Sequence, residues 1–240
     1  METYTRLSKN TPWEKGRVDS RWHFDYTVSE RNFINVCNFD ADFSDAISEA
    51  MVGGYCSNYT GKNFTGDVKK DWKQFTSTEI DLVSVKGNPY LEHFHRYNAQ
   101  GIGLFEKIAE ELGMIHCIIA FNMQKPGQTT PNHFDRFGPA LAERMPEAYA
   151  GIDFINDSDR IRRVVVMLDD WKLGQFFQIG NSTWHQWKKG DCITWDWRDM
   201  PHCTGNVGFW ERPMLQITGM VTDKTKDLLN RASSDLVISI

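Results

Sequence analysis

The chain has 240 residues, 40% hydrophobic and 25% charged, which excludes a disordered, collagenous or coiled-coil protein and is long enough to bury a core without staples. A net charge of −5 argues against a protein built to grip a phosphate backbone, so nucleic acid is not an expected partner. No apolar run reaches the ~18 residues of a membrane span and the N-terminus METYTRLSKN lacks a secretory apolar stretch, so a cytoplasmic protein without membrane contact is expected.

In chain order, residues 42–51 open on a capping Asp42 and place Phe43, Ala46, Ile47 and Ala50 at helical spacing. Residues 102–112 put Phe105, Ile108, Ala109 and Leu112 on one face, with Gly113 where a helix C-cap belongs. From residue 114 the pattern changes to short β-rich runs at 114–124, 129–136, 162–168, 175–179, 182–187, 191–197, 202–206 and 212–221. Turn residues divide them, among them Pro126-Gly127 and the two-residue hairpin signal Gly180-Asn181. Eight such strands predict a closed or double-sheet β structure with the early helices on one outer face. The heavy aromatic content, 13% of residues, suits strands and pocket walls. Residues 138–160 interrupt the strand series after its second member and read as either a lid over a site or a surface excursion. No repeat or flexible linker divides the chain, so 1–240 is one domain.

Cysteines at 37, 56, 117, 192 and 203 form an odd set without zinc-type spacing, which fits a reduced compartment. The glycosylation triplets at Asn58, Asn63 and Asn181 would then stay unmodified. Of seven histidines, His133 stands two residues before Asp135 on the second β run, so strand alternation turns imidazole and carboxylate to one side. His202, at the mouth of the seventh run, is the best third ligand. Two His and one carboxylate make a facial set suited to non-haem Fe(II), with positions left open. Arg212 opens the last strand and offers a fork for a carboxylate. We read His116, inside the run IHCIIAF, as a core histidine. His93 and His95 read as surface or substrate-facing residues, while His23 and His185 have no motif. Trp195, Trp197 and Trp210 serve either sheet packing or a pocket wall, packing being the simpler account.

The strings PGQTTPNHFD, WKKGDCITW and PHCTGNVGFWERPMLQITG together resemble the Fe(II)/2-oxoglutarate-dependent oxygenases, most closely the aspartyl/asparaginyl- and prolyl-hydroxylase-like members. The resemblance covers about residues 114–221. It implies a mainly β protein with a double-stranded β-helix (jelly-roll, cupin-like) core and N-terminal helices packed on one face. It also implies that His133, Asp135 and His202 are catalytic metal ligands, that the cofactors are Fe(II) and the cosubstrate 2-oxoglutarate, and that Arg212 holds the far carboxylate of the latter. The activity implied is a dioxygenase, an oxidoreductase that consumes dioxygen and hydroxylates a small molecule or an amino-acid or peptide side chain, releasing succinate and CO2. The chain departs from plant-type members at Met214, where they carry a Ser. The group that assists Arg212 then comes from another strand, with Asn206, Gln178 and Thr130 as candidates. Arg163 reads as a structural ion pair before it reads as a second anion ligand. A cupin-like metal-binding module, or a metalloenzyme on the same barrel without 2-oxoglutarate, is the alternative, and Arg212 is the residue it does not need.

Overall fold

A computed structural model describes residues 32–56, 63–64, 93–135, 137–154 and 156–240. His23 and Asn58 lie outside the described residues, and so do the rest of 1–31, 57–62, 65–92, Arg136 and Ile155. The strands are β1 (Phe33–Asp40), β2 (Tyr55–Cys56), β3 (Asn63–Phe64), β4 (His95–Asn98), β5 (Met114–Gln124), β6 (Thr129–His133), β7 (Ile161–Met167), β8 (Gln175–Ile179), β9 (Ser182–Trp184), β10 (Asp191–Trp195), β11 (His202–Asn206), β12 (Arg212–Val221) and β13 (Val237–Ser239). The helices are α1 (Ser44–Val52), α2 (Gly103–Glu111), α3 (Gly138–Arg144) and α4 (Asp223–Asn230).

Two sheets form, in the orders β13-β1-β10-β7-β12-β5-β4-β2-β3 and β6-β11-β8-β9. The eight strands from β5 to β12 supply β5-β12-β7-β10 to one sheet and β6-β11-β8-β9 to the other. Every pairing among these eight is antiparallel. That is the strand order of a jelly roll, the double-stranded β-helix expected from the sequence. The turn chemistry explains why the chain folds back where it does. Gly180-Asn181 joins β8 to β9, and Gly180 adopts a left-handed φ of 53° that a two-residue hairpin loop demands.

Alternation sorts the long strands into two faces. On the outer face of the large sheet, Phe121, Leu215, Ile217, Val164 and Val166 share one apolar core with Phe105, Ile108 and Leu112 of the α2 region and Ala46 and Ala50 of α1. Phe43, not the expected Asp42, is the N-cap of α1, although Asp42 Oδ1 just before it accepts the Ser44 N–H at 3.0 Å, and Gly113 ends the α2 segment at φ 68°. On the inner face Val165, Met167 and Met214 meet Phe177, Ile179, Trp184 and Trp187 from the small sheet or its margin. The segment 138–160 is folded onto the barrel by a third cluster, in which Leu141 and Tyr149 are buried with Phe137, Ile118, Ile161 and Trp197.

One expectation fails on β5. His116 is exposed, with φ at 51°, because the ladder to β12 slips between Thr218 and Met220. The bulge turns the imidazole outward and leaves the backbone carbonyl to accept the Tyr149 hydroxyl at 2.8 Å.

Candidate metal centre

His202 begins β11 and His133 ends β6, and the two are directly paired across the small sheet. Their rings lie 4.3 Å apart. Asp135 joins them, so that one ligand atom from each of His133, Asp135 and His202 falls within 4.8 Å of the others. The strand stops at His133, two residues short of Asp135, so ladder alternation alone does not aim the carboxylate. Arg163 does, donating from Nη1 to Asp135 Oδ1, and the ion pair expected of Arg163 is thereby present. The other carboxylate oxygen, Oδ2, is buried without a hydrogen-bond partner and lies 3.7 Å from His202 Nε2.

A buried carboxylate oxygen without a donor is costly unless something cationic meets it. Two imidazoles and that oxygen are a donor set suited to a divalent transition metal, and the residues present therefore fit a metal. His202 is prepared for that role. Its Nδ1 is 3.4 Å from the Met200 carbonyl, leaving Nε2 toward the centre. Burial drives its pKa down to about 4, against the pull of Asp135, so the imidazole stays neutral, the form that ligates. Trp195 and Phe177 pack at 4.9 and 5.7 Å from its ring.

Arg212 occupies the same interior, fully buried at 1% exposure. Its Nη1 donates to the Phe176 carbonyl at 3.0 Å and its Nη2 to the Thr204 hydroxyl, while Nε has no partner. Among the described residues no carboxylate pairs with it, and burial pushes its pKa down to about 9. Met214, where a hydroxyl was missed in the sequence, puts its sulfur 3.9 Å from Nη2.

The residue that assists the guanidinium is Thr204, for which the sequence carries no signal beyond its place two residues after His202. The three candidates named for that role are occupied elsewhere or unengaged. Asn206 donates its amide to the carbonyls of Gln124 and Trp210, because its side chain ties the β11–β12 turn. Gln178 is tied to the Gly180 carbonyl at 3.3 Å, and Thr130, opposite Thr204 on β6, has a buried hydroxyl without a partner. Two interior amides went unnoticed in the sequence: Gln124, paired with Arg212 across β5 and β12, and Asn122, paired with Met214. Both amide atoms of Asn122 are buried and unpartnered. Alternation along β5 from Gln124 would have found them, had polar residues on a buried strand been read as lining.

The remaining residues sort by contact. His95 is buried and stacked on Tyr55 at 3.8 Å, so it packs against the outer core. His93 reaches the Thr129 carbonyl at 2.9 Å. Trp195 lines the histidine side of the site, and Trp197 packs on Phe137 at 4.3 Å. Trp210 does neither job. It is 62% exposed because the β11–β12 turn carries it off the sheet. His185 is exposed beside Trp171.

No family model matches the chain, and a search of curated proteins gives no match either. Solved structures do match. They include a cupin 2 conserved barrel domain protein from Salinispora arenicola, 6% identical over 57% of this chain and 84% of that one, with a TM-score of 0.31. A predicted oxalate decarboxylase from Thermotoga maritima is 12% identical over 53% and 81%, with a TM-score of 0.31. A putative sugar phosphate isomerase from Acidithiobacillus ferrooxidans is 15% identical over 61% and 74%, with a TM-score of 0.32. Likenesses this shallow carry no argument, and the fold assignment rests on the strand order given above. Among the described residues no helix is long and apolar enough to cross a membrane.

Proposed function

We propose that the protein is an Fe(II)- and 2-oxoglutarate-dependent dioxygenase that hydroxylates a C–H bond of a small molecule or of an amino-acid or peptide side chain. The observation that carries this reading is Arg212: a fully buried guanidinium, without a protein carboxylate among the described residues, that reaches across the interior to Thr204 of β11, the strand that also carries His202 of the His133, Asp135 and His202 cluster. A buried cation without a counter-ion is unfavourable. A ligand carboxylate would relieve it, and the unpartnered Nε leaves a donor for it.

The spacing favours a short diacid. Thr204, which fixes Arg212, and His202, which borders the metal site, are two residues apart on β11, about 7 Å at the strand rise of ~3.3 Å per residue. A five-carbon dicarboxylate is of comparable length, so that one end would meet the guanidinium and the other the metal. Thr204 and the Phe176 carbonyl orient Arg212, the two imidazoles and Asp135 Oδ2 would hold the metal, and Trp195, Phe177 and Met214 supply apolar surface beside them. Iron bound there with 2-oxoglutarate would supply the oxidising chemistry that uses dioxygen and releases succinate and CO2.

The second reading, a cupin-like metal-binding module or a metalloenzyme without 2-oxoglutarate, is supported by the metal cluster alone and has no use for Arg212. Anaerobic addition of 2-oxoglutarate to the Fe(II)-loaded protein separates the two. The first reading expects a new weak visible absorption band and, after air is admitted, succinate. Bound iron that neither changes its spectrum nor supports succinate formation favours the second.

A further inference from the structure

The carboxylate of Asp135 sits past the end of its strand, yet its two oxygens are treated differently. Oδ1 takes the Arg163 guanidinium, while Oδ2 is unpartnered beside His202. Arg163 is itself fixed from two further sides. Its Nε donates to the Thr218 hydroxyl at 2.9 Å, and Thr218 is its cross-strand partner on β12, so the anchor belongs to the sheet. Phe137 covers the guanidinium face, 4.4 Å from ring centroid to Cζ, and is wedged against Trp197. The chain Thr218–Arg163–Asp135 is thus a buried relay of contacts ending at Asp135 Oδ1, the oxygen other than the one beside His202.

We propose that Arg163 is a positioning residue for the metal centre: by occupying Oδ1 it presents Oδ2 alone and keeps Asp135 from chelating through both oxygens. This rests on the metal reading of the cluster but not on 2-oxoglutarate. A carboxylate free to rotate would take a second coordination position, which a three-residue facial site has to leave open for its other ligands. Hydrogen-bond partners of metal ligands typically hold about 10- to 100-fold in metal affinity or activity. If the ion pair only neutralised Asp135 before metal binding, Arg163 would compete with the metal for the carboxylate and its loss would leave affinity unchanged or improved.

Calorimetric titration with Co(II), read together with the visible spectrum of the cobalt protein, tests this without turnover. Arg163→Gln is expected to weaken Co(II) binding about 10- to 100-fold and to alter the cobalt spectrum as the carboxylate changes its mode. Arg163→Lys, which keeps the charge but cannot reach Thr218 and Asp135 together, is expected to recover part of the affinity. Thr218→Val removes the anchor alone and is expected to weaken binding several-fold with the same spectral change; it decides the matter should Arg163→Gln fail to fold. Unchanged or tighter binding overturns the proposal, and so does weaker binding with an unaltered spectrum. A wild-type protein that takes up no cobalt would instead sink the metal reading, and the positioning role with it.

Discussion

Arg212 and Thr204 touch across the interior although they belong to opposite sheets, the guanidinium Nη2 of β12 donating to the hydroxyl of β11. The contact locks the direction of the arginine by a residue whose strand also carries His202. The guanidinium and one imidazole of the candidate metal cluster are therefore both placed by β11.

Arg212→Ala is expected to lose a bidentate, charge-assisted contact of roughly 2–5 kcal/mol, about 30- to several-thousand-fold in 2-oxoglutarate affinity. Iron binding should change far less, and Arg212→Lys should restore only part. Calorimetric titration of 2-oxoglutarate into the anaerobic Mn(II)-protein measures this, and an unchanged titration in the Ala variant would place the carboxylate elsewhere. Because the wild-type guanidinium is buried without a counter-ion among the described residues, Arg212→Met is expected to leave the ligand-free protein at least as stable. A clear fall in its melting temperature would show that the contacts to Phe176 and Thr204 outweigh desolvation.

His133→Ala, Asp135→Ala and His202→Ala should each reduce metal content to background and stop succinate release while the far-ultraviolet circular dichroism stays that of the wild type. Each removes one of three donors in a cluster that spans 4.8 Å. Atomic-absorption analysis of the purified variants checks it, and near-stoichiometric iron in any of them would remove that residue from the set.

The metal-free protein should lose stability as pH falls. His202 is held neutral by burial, with a folded pKa of about 4 against 6.5 ordinarily. Below pH 6.5 the unfolded chain therefore binds a proton that the folded one refuses. The stabilisation is constant above about pH 6.5 and is lost progressively toward pH 4, by up to about 3 kcal/mol. Urea unfolding of the wild type and of His202→Gln at pH 7 and pH 5 isolates this group. The wild-type advantage over the variant should shrink by about 2 kcal/mol between them, and a difference independent of pH would show that the imidazole is protonated in the fold.

The segment 138–160 is fastened by Leu141, which is fully buried, and the residue just before it, Phe137, covers the Arg163 guanidinium. If it closes over substrate, hydrogen exchange within it should slow when substrate joins metal and 2-oxoglutarate. Leu141→Ala should cost about 2–5 kcal/mol of global or local stability and speed exchange there first. Exchange that ignores every ligand stimulating turnover would make the segment a plain surface excursion.

Much of the architecture was legible in the sequence because it depends on periodicity. The runs at 114–124, 175–179, 202–206 and 212–221 coincide with β5, β8, β11 and β12, where apolar alternation, Gly180 and the turn prolines act within a few residues of themselves. The order His133, Asp135, His202, Arg212 was legible too, since those residue types in that pattern have few structural uses together. The tertiary structure alone decided which groups meet. Thr204 faces Arg212 because the two sheets face each other, while Thr218 anchors Arg163 and Asn122 and Gln124 line the interior because pairing registers across β5, β12 and β7 bring together residues far apart in the chain. It also decided that His116 points to solvent: one bulge reverses the face of every residue within it. A local pattern fixes the side of a strand on which a residue stands, but the partner on the facing strand is set by register and barrel closure, which no window of sequence contains.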